Sequence, residues 1–183
     1  MNPVDILIDE HENVKRALAL IKKMSMEIIR GKDPDTEDFY LISSFISDYA
    51  DAYHHGKEEE ILFKYMEEES GPEAKILVRQ GMLVEHDLGR YYNRSLRESL
   101  QAFDRDGSEE AKLDILTHAL AYRDLLTRHI DKENTAVFTL AQRTLSDETM
   151  EKAREEFQDF YQKEKATRNK YLKILDDLEE KYK

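Results

Sequence analysis

The sequence predicts an all-α fold, an antiparallel up-down four-helix bundle with an added C-terminal helix. Three observations carry that expectation. Charged residues make up 37% of the 183-residue chain against 40% hydrophobic, with only 6 Gly and 3 Pro, the balance of long amphipathic helices rather than of short strands joined by turns. Apolar residues recur at helical spacing along most of the chain. The breaks between these stretches are short, and short links make consecutive helices run alternately up and down.

Asn2 can cap a first helix with Pro3 at its first position, and Ile6, Leu7, Val14, Leu18, Ile21, Met24 and Ile28 form its apolar face until Gly31 ends it. His11 falls on that face. After a break containing Pro34, a second helix is expected from Thr36 to Glu69, with an inward stripe of Phe39, Ile42, Ile46, Tyr49, His54, Glu58, Ile61 or Leu62, and Tyr65. Ser70, Gly71 and Pro72 separate it from a third helix, about Glu73 to Arg105, which turns Leu77, Met82, His86, Gly89, Asn93, Leu96 and Leu100 to one side. Gly89 weakens that helix and suggests a close approach to its backbone. Ser108 can cap a fourth helix reaching about Leu145, with Ile115, His118, Tyr122, Leu125, His129, Glu133, Ala136 and Leu140 inward. Ser146 caps a fifth, which carries Met150, Phe157, Phe160, Tyr161, Tyr171, Ile174, Leu175 and Leu178. A single domain is expected, with residues 1–145 as the bundle and 146–183 as a helix packed on or extending from it.

The formal charge of −12, from 28 Lys and Arg against 40 Asp and Glu, comes without a basic stripe. The attraction behind nucleic-acid binding and adsorption to anionic membranes is therefore missing. The absence of cysteine excludes disulfides, thiolate metal sites and a cysteine nucleophile. The amino terminus has acids where a signal peptide would be basic, and no apolar run is long enough to span a bilayer. A soluble cytoplasmic protein is expected.

The chemistry concentrates in two stretches, HHGKEEEILF from His54 and HIDKENTAVF from His129, each with a glutamate four residues after its first histidine. On a helix this spacing holds an imidazole and a carboxylate on one face. At about 1.5 Å of rise per residue, His11, His54 with Glu58, His86, and His129 with Glu133 fall in one layer, a third to half of the way along an up-down bundle. Taken singly, such a pair is common on helices, and a lone histidine on an apolar face is more often a core residue. Four histidines and two glutamates in one apolar layer are different, because burying unpaired carboxylates costs several kcal/mol and a shared dication removes that cost. Imidazoles and carboxylates without sulfur suit iron, manganese or zinc. Two glutamates could bridge two ions, with two histidines completing each. Glu10, Glu59, Tyr122 and Asn134 are near enough in sequence to orient the ligands. His55 has the same spacing to Glu59 but is rotated by roughly 100° from His54 on an ideal helix, which puts it at the flank or in a supporting position. His118 lies three turns from His129, in a core position or lining an access path.

The order His, His-x-x-x-Glu, His, His-x-x-x-Glu, with the local texts EHENV, HHGKEEEILF, EHDLGR and HIDKENTAVF, resembles the hemerythrin-like (HHE cation-binding) family from Asp5 to about Leu145. The resemblance implies a four-helix bundle around a non-haem diiron centre bridged by two carboxylates and an oxo or hydroxo group. His11, His54, His86 and His129 would be terminal ligands, and Glu58 and Glu133 the bridges. Oxygen-carrying hemerythrins use five histidines, two on the third helix, and one bridging aspartate. Here Met82 and Arg90 stand four residues either side of His86, so the chain is similar to the four-histidine, two-glutamate branch, which includes proteins linked to peroxide breakdown, nitric oxide handling and iron-sulfur repair.

The implied function is to bind or reduce a small ligand, H2O2, O2 or NO, at a diiron centre, possible oxidoreductase chemistry of a peroxidase, catalase-like or nitric-oxide-handling kind. Fewer histidines leave more open coordination positions and disfavour reversible oxygen carriage. The alternative is a non-catalytic oxygen, redox or iron sensor or binding module, in which the metal state alters packing of the C-terminal helix, where an electron donor or protein partner would dock.

Overall fold

The computed structural model describes residues 2–183 and contains five long helices with no strand among the described residues. Helix α1 is Pro3–Ile29, α2 spans residues 36–69, α3 residues 71–106, α4 residues 109–144, and α5 is Asp147–Lys181. Four starts are fixed by a side-chain oxygen that accepts a backbone N–H: Asn2 from Val4 at 2.9 Å, Asp35 from Asp38, Ser108 from Ala111 and Ser146 from Thr149, each of these at 3.2 Å. Each such cap contributes about 1 kcal/mol. At the end of α3 Gly107 takes a φ of +61°, the left-handed conformation that glycine reaches without strain.

The first four helices alternate in direction and pack as a ring, α1 on α2, α2 on α3, α3 on α4, and α4 back on α1. Helix α5 lies along the outer face of α1 and α2. It buries Ala153, Phe157, Tyr171, Leu175 and Leu178 and is tied to α1 by Arg16, which donates to Asp176 at 2.5 Å and to Glu179 at 2.7 Å. No helix among the described residues is long and apolar enough to cross a membrane.

Three helices depart from uniform α winding. Segments Ile46–His55 and Glu58–Leu62 of α2, Leu77–Met82 of α3 and Glu133–Val137 of α4 are π-helical. There the N–H groups of Gly56, Phe63, Leu83 and Phe138 reach back five residues, to the carbonyls of Asp51, Glu58, Val78 and Glu133. Such segments are rare and recur at functional sites. Wider winding also rotates the inward face, which corrects the uniform stripes expected from the sequence. Met66 is buried rather than Tyr65, Val78 rather than Leu77, and Val137 rather than Ala136.

The apolar core is divided in two. One cluster gathers Val14, Leu18, Ile21, Phe39, Ile42, Phe45, Leu96, Leu100, Ile115 and the C-terminal part of α5. The other gathers Val4, Leu7, Leu62, Phe63, Met66, Val78, Met82, Phe138 and Phe157. Histidines and carboxylates fill the layer that separates them.

Candidate metal centre

Each inner helix contributes to that layer: His11 from α1, His54, His55 and Glu58 from α2, His86 from α3, and His129 and Glu133 from α4, none more than 5% exposed. Their ligand atoms converge in two groups. His11, His54, Glu58 and Glu133 form one, and His55, His86 and His129 the other, with the atoms of each within 4.8 Å of one another. The carboxylates connect the groups. Glu133 Oε2 is 3.2 Å from both His11 Nε2 and His129 Nε2. Glu58 turns Oε1 to His54 Nε2 at 3.5 Å and Oε2 to His86 Nε2 at 3.7 Å.

Every one of the five imidazoles is held from behind. Nδ1 donates to Asn134 Oδ1 at 2.9 Å from His11, to Glu10 Oε2 at 2.9 Å from His54, to Asp51 Oδ1 at 3.3 Å from His55, to Glu59 Oε1 at 2.6 Å from His86, and to Glu85 Oε2 at 2.9 Å from His129. In a neutral imidazole an acceptor at Nδ1 fixes the proton there and leaves the Nε2 lone pair for the interior. This is the way metal-binding histidines are oriented and made more basic.

The inner atoms lack partners of their own. His11 Nε2, His54 Nε2 and all four oxygens of Glu58 and Glu133 are buried without a hydrogen bond, a state that costs several kcal/mol unless a cation is shared. Burial, and then the neighbouring Glu133 charge, hold the Glu58 carboxyl well above the usual range. Burial also pushes His54 well below 6.5 and His55 down to about 3, with the charges of His11 and His86 acting in the same direction. Burial acts on His129 likewise, but Glu133 and Glu85 outweigh it and lift His129 to about 9. Nitrogen and oxygen donors only, two carboxylates reaching both groups, and orphaned atoms facing one another fit a pair of first-row cations.

The six expected ligands thus come together, and Glu10, Glu59 and Asn134 each bond one of them. His55 does not stay at the flank. Its ring stacks on His86 at 3.8 Å between centroids, tilted by 6°. The reason is the π-helical winding of Ile46–His55, whose i→i+5 bonding turns successive residues through less than the α-helical 100° or so, so that two adjacent histidines both enter the layer. His118 takes no supporting part, since its Nδ1 donates instead to Ser99 Oγ at 2.9 Å. Tyr122 is buried and lines a cavity beside His55 and His86. Gly89 lines the same cavity, and a Cβ there would meet Leu126 and Tyr122 only at an ordinary 3.6 Å, so no close approach demands the glycine.

Sequence reasoning missed Asp51, Lys57 and Glu85. Lys57 is 1% exposed, is ion-paired with Glu10, and sits 3.5 Å from the centroid of the Tyr53 ring beneath Phe160 of α5. Lys132 pairs with Glu85 in the same manner. A signal for Lys57 and Glu85 lay in an internal repeat, and one for Asp51 in its place four residues before His55. Residues 75 apart play matching parts: His11 and His86, His54 and His129, Glu58 and Glu133, Glu10 and Glu85, Lys57 and Lys132, Glu59 and Asn134. The repeat is broken at His55, whose counterpart is Ile130.

Comparison with protein families gives a match over residues 2–141 to a family described as the hemerythrin HHE cation-binding domain. Neither the curated proteins nor the solved structures give a match.

Proposed function

Since this chain belongs to the hemerythrin HHE cation-binding family, we propose that its histidine and glutamate layer holds two iron ions as a non-haem diiron centre that binds or reduces hydrogen peroxide, dioxygen or nitric oxide. The observation that carries this reading is the pair of buried carboxylates, Glu58 and Glu133, with all four oxygens unpartnered and histidines of both groups within reach. His11 and His54 would hold one ion, His55, His86 and His129 the other, with the glutamates and an oxo or hydroxo group between them. Iron supplies Lewis acidity and one-electron redox chemistry when bound.

The chain's own residues supply the rest. Five Nδ1 bonds orient the imidazoles, burial keeps His54 and His55 neutral and able to ligate, and the two apolar clusters close the layer at both ends. A fifth imidazole, from α2, removes the shortage of histidines that disfavoured oxygen carriage, and oxygen binding stands beside reduction of peroxide or nitric oxide.

A second reading, a redox or iron sensor, is favoured by the path from His54 through Glu10 and Lys57 to Phe160 of α5. It gives the metal layer a mechanical connection to the helix where a partner or electron donor would dock. Anaerobic iron loading followed by stopped-flow mixing with peroxide, oxygen and nitric oxide separates the two: turnover supports catalysis, and tight binding without turnover supports sensing or carriage. Fewer than two metals per chain, with metal content unchanged in Glu133→Ala, would overturn the diiron reading.

A further inference from the structure

A cavity of about 350 Å³ opens on the His55 and His86 side of the layer, between α2 and α3. Three guanidinium groups, those of Arg90, Arg94 and Arg97, line it against the single carboxylate of Asp51. In a chain of net charge −12 that is a local reversal of sign.

The three arginines are not equivalent. Arg90 is committed to carboxylates, donating to Asp51 at 2.9 Å, to Asp87 at 2.9 Å and to Glu59 at 2.7 Å. Arg97 donates only to hydroxyls, Ser43 Oγ at 2.7 Å and Ser44 Oγ at 3.1 Å. Arg94 makes no hydrogen bond among the described residues and lies 5.8 Å from the centroid of the Tyr91 ring. Among the described residues neither Arg94 nor Arg97 is in contact with a carboxylate, whereas Asp51, the carboxylate at the cavity, is taken up by Arg90. An independent observation concerns Tyr122, 2% exposed and lining the same cavity, whose hydroxyl has no hydrogen-bond partner among the described residues. That hydroxyl is open to the cavity rather than sealed in the core, and it offers a donor to whatever occupies the space.

Guanidinium forks match planar oxyanions in shape and charge, and a cleft lined by one sign of charge raises the local concentration of the opposite ion. A neutral diatomic gains little from either. We propose that this cavity binds a small oxygen-bearing monoanion, represented by nitrite, with Arg94 and Arg97 supplying the charge and Tyr122 a hydrogen-bond donor at the inner end. The proposal rests on the diiron reading only for where the anion is delivered, and its binding depends on the cavity itself.

The test is calorimetric titration of nitrite into the full-length, iron-loaded chain, with metal content measured on the same samples. One nitrite per chain is expected to bind, at least about tenfold more weakly in the Arg94→Gln/Arg97→Gln double variant and several-fold more weakly in Tyr122→Phe, with iron content unchanged. Arg94→Gln alone, at an exposed residue without a hydrogen bond, serves if the double variant does not fold. Nitrite affinity that is unchanged in the arginine variants overturns the proposal. Two irons per chain with arginine-independent binding would remove this inference and leave the diiron reading standing, whereas arginine-dependent binding with fewer than two metals would do the reverse.

Discussion

His54 and His55 are neighbours in the chain yet serve opposite sides of the layer, His54 tilted against His11 at 4.6 Å and His55 stacked on His86 at 3.8 Å. Replacing His55 by Ala should therefore lower bound iron from two per chain towards one, while His118→Ala, whose imidazole only meets Ser99, should leave two. Elemental analysis of the purified variants measures both, and an H55A chain that retains two irons returns His55 to a merely structural role. Protons give a second readout at this scale. Without metal, burial and Glu133 hold the Glu58 carboxyl well above its usual range, and His129, although burial opposes it, is charged up to about 9 beside Glu133 and Glu85. Ligands must lose such protons to bind, so loading at about pH 7 should release the His129 proton together with whatever proton Glu58 retains there, read in a weakly buffered pH-stat titration. The His-x-x-x-Glu pairs were legible because an α-helix sets i and i+4 on one face. His55 was not, because its inward turn depends on winding that local spacing does not reveal.

At the scale of the helices, the winding had left a trace. The inward stripe of α2 steps by five from Tyr49 to His54, within a π-helical segment. Caps and stops at Asn2, Ser108, Ser146 and Gly107 were readable for the simpler reason that they are local. Of the supporting carboxylates, Asp51 stands four residues before His55 on one helix, whereas Glu10, Glu59 and Glu85 reach their histidines across helices, and the 75-residue repeat connects Glu10 with Glu85. That repeat pairs two lysines with very different surroundings. Lys57 is buried under α5 against Glu10, whose carboxyl burial pushes up while Lys57 opposes the shift, whereas the Lys132 side chain is 46% exposed. Lys57→Met leaves Glu10 buried without its cation and should cost about 3–5 kcal/mol. Lys132→Met should cost no more than about 1 kcal/mol. Urea denaturation of the two variants compares them directly, and equal losses would mean that α5 does not seal the Glu10 side.

For the whole molecule, the fold places a charged, unsatisfied layer between two apolar clusters, so stability and metal loading are coupled through pH. In the metal-free chain Glu58 has a folded pKa raised above 4.5, and its contribution is fully present below 4.5 and lost as pH rises through the raised value. His129 is raised from 6.5 to about 9, so its contribution is present below 6.5 and is lost between there and 9. Burial acts to raise Glu133, but the histidines around it, His129 foremost, outweigh it and hold it well below 4.5, so it changes nothing above that value. Both groups therefore weaken the metal-free fold as pH rises, Glu58 from 4.5 upward and His129 between 6.5 and about 9. A cation prefers the deprotonated ligands, so loading strengthens over the same range. The difference in melting temperature between loaded and chelator-stripped protein should widen steadily with pH, and Glu58→Gln should flatten it by removing both a bridge and a titrating group. Thermal melts of the two forms across this range decide the matter: a constant difference would mean that the layer folds as an ordinary buried ion-pair network, with metal adding no linkage to it.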